Sequence, residues 1–164
     1  MAHLALDLGL SLGWAIFHDD GEIESGVRRL IDAGGTDGAR FHAMRVFLVD
    51  ARTKLKLDGE QLEGVIFERV DFLVKKNGVN AAHIYGALWG QVVGWCHGNS
   101  IPCQGIPVST IKSHICGKAY STAAKPLVTK RVQELFPHVR DHNEADAVAI
   151  ILTAQKKYPA EVPA

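Results

Sequence analysis

The chain has 164 residues, 47% of them hydrophobic and 22% charged, with 18 basic and 18 acidic side chains and formal net charge zero. Such a composition is that of a globular protein long enough to bury a core, and it excludes a disordered, collagen-like or disulfide-stapled chain. The apolar N-terminus lacks a basic leader region and is broken by Asp7, and the most apolar stretch, 81–98, is interrupted by His83, Gln91 and His97; neither a signal peptide nor a membrane span is expected.

Taken in order, residues 3–8 read as a central strand buried on both faces. Leu10 to His18 continues as a second strand, and the turn Asp19-Asp20-Gly21 leads into a third, Glu22 to Leu30, completing an antiparallel meander. After the Gly34–Gly38 loop, Phe41, Met44, Phe47, Leu48 and Leu55 recur at helical spacing until Asp58-Gly59. Leu62 to Glu68 is a strand of the buried parallel type. Arg69 to Val79 reads as a loop containing Phe72 and Leu73, with Asn80 capping a helix that runs to about His97. In that helix Ala82, Gly86, Gly90 and Gly94 recur every fourth position. Glycine costs about 1 kcal/mol per helix-interior position, so the stripe implies close packing, either on the sheet or on the same helix of a second subunit.

Ile101 to Ile106 is a fifth strand, Val108 to Cys116 a short helix after Pro107, and Gly117–Thr122 a basic loop. Two more helices follow, Ala123–Phe136 and one from about Asp141 to Lys157. The domain thus spans 1–157, and 158–164 reads as a frayed tail. This order predicts an α/β domain with a five-stranded mixed sheet flanked by helices. First and fourth strands can then lie side by side and parallel, with Asp7 and Glu68 at their carboxyl ends, where ligand sites of open α/β sheets form.

The chemistry rests on three carboxylates. Asp7 lies inside an apolar strand, Glu68 ends Val65-Ile66-Phe67-Glu68, and Asp146 lies within Glu144-Ala145-Asp146-Ala147-Val148-Ala149-Ile150. Buried carboxylates need a compensating charge. Magnesium or manganese suits all-oxygen ligands, and pairs of such ions catalyse in-line attack of water on phosphodiesters. Asp7 is the expected central ligand, flanked by Glu68 and Asp146, with Asn143 one helical turn before Asp146.

Charge distribution points the same way. No Asp or Glu occurs between Asp71 and Glu134, an interval that carries Lys75, Lys76, Lys112, Lys118, Lys125, Lys130 and Arg131. Such a segment is either a polyanion-binding face or a solvated surface balanced by acids adjacent in space. Cys96, Cys103 and Cys116 form no CxxC pair; they fit a reducing cytoplasm and read as small hydrophobes rather than zinc ligands.

The runs Leu6-Asp7-Leu8-Gly9, Ile66-Phe67-Glu68-Arg69-Val70 and Ala145-Asp146-Ala147-Val148-Ala149-Ile150 together resemble the RuvC-type Holliday-junction resolvases of the RNase H-like superfamily. The first run alone is shared with sugar kinases and actin-like ATPases, but the second phosphate loop of those proteins has no counterpart here. The resemblance implies a homodimeric, magnesium-dependent endonuclease that nicks four-way DNA symmetrically, leaving 5′-phosphates and 3′-hydroxyls. It implies Asp7, Glu68, Asn143 and Asp146 as metal ligands, with Lys112 and Lys125 near the scissile phosphate. Phe72 falls close to the family's junction-wedging aromatic, or is a core phenylalanine. The chain departs from the pattern twice. Asn143 stands where members carry an acid or histidine, leaving Asp141, His142 or Glu144 as substitutes, and Asp71 occupies the aligned wedge position. Asp141 with Glu144 also reads as a helix capping box. The rival readings are a flap, branch or RNA–DNA hybrid nuclease and a catalytically inert junction-binding module.

Overall fold

The first strand, β1 (Ala2–Asp7), is buried along its length until Asp7, which is half-buried. In the computed structural model, residues 1–30, 35–70, 73–117 and 125–157 are described. Beside β1 lie β2 (Ser11–Phe17), β3 (Ile23–Arg29), β4 (Leu62–Arg69) and β5 (Cys103–Pro107), in the sheet order β3-β2-β1-β4-β5. The first three strands pair antiparallel, whereas β1 with β4 and β4 with β5 pair parallel. The five-stranded mixed sheet expected from the sequence is therefore present.

Alternation along the strands separates two cores. Leu4, Leu6, Leu12, Ile16, Val65 and Phe67 point to one face. There they meet Met44, Leu48 and Leu55 of α1 (Asp37–Leu57) and Leu88, Val92 and Cys96 of α2 (Leu73–Gly98). Ala5, Ala15, Phe17, Ile66 and Ile106 point to the other face. They are covered by α3 (Val108–Cys116), α4 (Lys125–Leu135) and α5 (His142–Lys157). Thr36 caps α1, its Oγ1 accepting from Ala39 N–H at 3.3 Å. Asp141 caps α5, its Oδ1 accepting from Asn143 N–H at 2.7 Å.

Two expectations are corrected. The loop expected up to Val79 is helical from Leu73, because the only breaks in 73–79 are Asn77 and Gly78. Neither residue removes a backbone donor, so each lowers helix propensity without ending the helix. The glycine stripe of α2 does not pack on the sheet. A methyl group built on Gly86, Gly90 or Gly94 meets nothing within 4 Å, and all three residues are exposed. The sheet-facing side of α2 is instead formed by Leu88, Val92 and Cys96. The frayed tail expected at 158–164 lies outside the described residues.

Candidate metal centre and nucleic-acid interface

The β1–β4 register runs Ala5↔Ile66 and Leu6↔Phe67. Continued by one residue it sets Asp7 beside Glu68, and alternation turns both toward the face that α5 covers. Glu68 is paired on its other side with Ile106, a core residue of that same face. Tyr85 of α2 fixes the strand end, its hydroxyl donating to the Glu68 carbonyl at 2.6 Å and accepting from Val70 N–H at 3.2 Å.

The third member arrives through a glycine. Gly13 pairs with Asp7 across β1 and β2. A Cβ at Gly13 would lie 1.9 Å from the carbonyl oxygen of Asn143 and 2.4 Å from its carbonyl carbon. The first turn of α5 therefore rests directly on the backbone next to Asp7, an approach only glycine permits. Three residues on, Asp146 follows on the same flank of the helix. Asp7, Glu68, Asn143 and Asp146 are all half-buried.

Asp141 and Glu144, the possible substitutes for Asn143, are engaged elsewhere. Asp141 Oδ1 accepts from both the backbone N–H of Asn143 and its Nδ2, at 2.7 and 3.1 Å. Glu144 Oε1 accepts from Ser25 Oγ on β3 at 2.8 Å. The capping box is thus half realised: Asp141 caps, while Glu144 ties the helix to the sheet edge. His142 is exposed.

Among the described residues no group of three or more His, Cys, Asp or Glu side chains forms a ready-made cation cage. The donor set is nonetheless that of a hard-cation site: three carboxylates and one carboxamide oxygen. Half of that set is supplied by strand ends whose backbone is fixed, and the rest by a helix seated on glycine.

Among the expected DNA-binding residues, Lys112 is half-buried one turn into α3, which begins where β5 ends beside Arg69. Lys112 and Arg131 both act on the Cys116 thiol: burial raises its pKa, and the two cations oppose that rise, Arg131 more than Lys112. These cations of α3 and α4 therefore share one neighbourhood. Arg131 is also paired with Glu134 at 2.9 Å, so part of the basic segment is balanced locally. Lys130 is exposed. Lys75 and Lys76 fall in the first turn of α2 and Lys125 begins α4; Phe72 and Lys118 lie outside the described residues. Cys96 and Cys116 are buried. The Cys96 thiol is pushed up to about 12 by burial and then by Cys103, which keeps it protonated and in keeping with a core role.

Sequence reading overlooked Arg28, Arg29 and Arg140, exposed cations outside the acid-free interval, and the Tyr85 and Ser25 contacts. Charge runs are visible along a chain, whereas the strand register that carries Arg29 to the face of Asp7 is not. Two concavities lie away from the carboxylates. One, of about 470 Å³, opens at the amino ends of the parallel strands near His3, Gly64 and Gln104. The other, of about 800 Å³, lies among α3, α4 and α5 near His114, Arg131 and Lys156. Among the described residues no helix is long and apolar enough to cross a membrane.

No protein-family model matches the chain, and no curated protein matches it in sequence. Solved structures do match. RuvC of Thermus thermophilus superimposes with TM-score 0.70 at 20% identity, covering 93% of this chain and 92% of that one. The T. thermophilus RuvC in complex with a Holliday junction substrate gives TM-score 0.70 at 18% identity, covering 93% and 91%. The yeast mitochondrial Holliday junction resolvase gives TM-score 0.58 at 12% identity, covering 92% and 77%. Strand order, the β1–β4 pairing and the coverage of these matches agree: the chain has the RNase H-like fold of the RuvC-type resolvases.

Proposed function

We propose that this protein is a divalent-metal-dependent endonuclease that resolves four-way DNA junctions, acting as a homodimer. The observation that carries the reading is the seating of α5 on Gly13. It brings the Asn143–Asp146 turn over the strand end where Asp7 and Glu68 stand together, within a fold shared with junction resolvases.

Asp7, at the centre of the row, would hold the metal together with Glu68 on one side and Asp146 with Asn143 on the other. Magnesium or manganese bound there supplies Lewis acidity toward water and phosphodiester oxygens. The work of the chain is to hold oxygens in place. Strand pairing fixes Asp7 and Glu68, Tyr85 locks the backbone that carries Glu68, and Asp141 holds the Asn143 side chain at the start of α5. Lys112, half-buried at the entry to α3, and Lys125, at the start of α4, are suited to stabilise charge on the reacting phosphate. Lys75, Lys76, Lys118, Lys130 and Arg131 supply backbone contacts, and Phe72 a stacking contact at the junction centre. The products are 5′-phosphates and 3′-hydroxyls.

Two symmetric nicks require two centres. The exposed stripe of α2 supports a second copy as partner: Gly86, Gly90 and Gly94 present bare backbone beside Trp89, which is 47% exposed. Helices approach most closely where side chains are smallest, and a large exposed aromatic next to such a stripe is a usual interface anchor.

The test is cleavage of a labelled four-way junction beside linear duplex, flap and RNA–DNA hybrid, with magnesium and with chelator, for wild type and Asp146→Asn. Paired symmetric nicks in the junction alone are expected, abolished by chelator and by the substitution, with junction binding by Asp146→Asn retained. Cleavage of hybrid or flap instead would move the substrate and keep the centre. Binding without cleavage by the wild type would leave an inert junction-binding module.

A further inference from the structure

The cross-strand row through the carboxylates continues past them. Asp7 pairs with Gly13, and Gly13 pairs with Val27 of β3. One row further on, Ser11 pairs with Arg29. Alternation puts Ser25, Val27 and Arg29 on one face of β3, and Ser25 donates to Glu144 of α5, so this is the face of Asp7. Arg28 points to the opposite face, paired with Leu12 of the other core.

Arg29 is exposed at the free edge of the sheet. Among the described residues it has no ion-pair partner. The acids at the start of α5 are engaged elsewhere, Asp141 with Asn143 and Glu144 with Ser25. Beside Arg29 on that face Val27 is 38% exposed. An exposed guanidinium next to an exposed aliphatic side chain suits a phosphodiester strand, with phosphate oxygens on the cation and sugar edges on the hydrocarbon. Two strand spacings across and two residues along place Arg29 about 12 Å from Asp7. The path between phosphates along one strand is longer than the roughly 3.4 Å axial rise per nucleotide, so that span is about two to three nucleotides.

We infer that the β3 edge is a DNA-backbone track, in which Arg29 takes a phosphate two to three nucleotides from the one at the carboxylates and Val27 lies under the strand between. This rests on the nuclease reading above. It adds a second side to the interface, since the basic residues found from sequence all lie on the β4, β5 and α2–α4 side of Asp7.

The experiment measures binding of a four-way junction with cleavage blocked by chelator, as a function of salt. Single neutral methylphosphonate linkages are walked along the strand on both sides of the cleavage position. Arg29→Ala is expected to weaken binding about tenfold and to lower the salt slope by about one. It should also make silent a methylphosphonate position, two to three nucleotides away, that weakens binding by the wild type. Arg29→Lys should restore the slope, and Arg28→Ala, on the opposite face, should leave the methylphosphonate profile unchanged. Equal slopes and profiles for wild type and Arg29→Ala, with the junction still bound, would overturn the track and leave the nuclease reading intact. Failure of the wild type to bind any branched DNA would overturn that reading itself. Thermal melts of the variants separate either result from loss of fold.

Discussion

Helices α2 and α5 flank opposite faces of one sheet and are both rich in small residues, yet the structure uses those residues in opposite ways. In α5 the small residues face inward: Ala145, Ala147 and Ala149 are wholly buried, and the helix lies so close that Gly13 has no room for a methyl group. In α2 the inward side is made of Leu88, Val92 and Cys96, and the glycines look outward onto open space. A stripe of small residues therefore says that something approaches closely. It does not say whether the neighbour is the chain's own sheet or another molecule. For α5 the neighbour is the strand pair that carries Asp7, so tight packing and the candidate centre are one feature.

The largest expected effect follows from that contact. Gly13→Ala places a methyl group 1.9 Å from the Asn143 carbonyl oxygen, which is a backbone atom. Neither a rotamer change nor a small shift relieves such an overlap, so α5 must lift. Overpacking of this kind costs about 3 kcal/mol. Urea denaturation should show a lowered midpoint at unchanged slope. Cleavage should fall further than the stability loss accounts for, because Asp146 moves with the helix. A variant as stable and as active as wild type would mean that α5 is not held against β1 and β2 in this way.

The counterpart on α2 is Gly90→Ala, and it separates the two uses of glycine. With nothing within 4 Å to obstruct the methyl group, the substitution should stabilise an isolated chain by about 0.5–1 kcal/mol through helix propensity. If the stripe is where two copies meet, the same methyl group should weaken self-association, measured by sedimentation over a concentration series. Stabilisation with unchanged association would move the homodimer contact elsewhere on the surface.

Much of the architecture was legible because the meander, the buried fourth strand and the intervening helices admit few arrangements of one sheet. Asp7 and Glu68 could be placed together for that reason, and period-two alternation then decided their common face. What could not be read depended on contacts with no trace in local pattern. Asn80 resembles a helix start, but α2 runs through it from Leu73, since a cap-forming side chain does not oblige a helix to begin. Glu144 has the spacing of a capping partner and bonds instead to Ser25, 119 positions away. Gly13 reads as one glycine in the second strand, and its importance appears only once Asn143 is seen on top of it. Arg29 escaped notice because the acid-free interval drew attention to a segment of chain, whereas register carries Arg29 to the centre from outside it.

The smallest effect concerns the second tie between α5 and the sheet. Ser25→Ala removes the 2.8 Å bond to Glu144 and should cost about 1.5 kcal/mol, the low end for one such bond to a charged acceptor. Alone, this value does not distinguish positioning of the helix from simple stability. A double-mutant cycle with Glu144→Gln supplies the coupling between the two side chains, and cleavage rates measured on the same four proteins supply the functional part. Coupling in stability accompanied by equal coupling in rate would mean that β3 helps to aim the first turn of α5 at Asp7. Coupling in stability with unchanged rate would leave that task to Gly13, the closer of the two contacts and the one that no other side chain can replace.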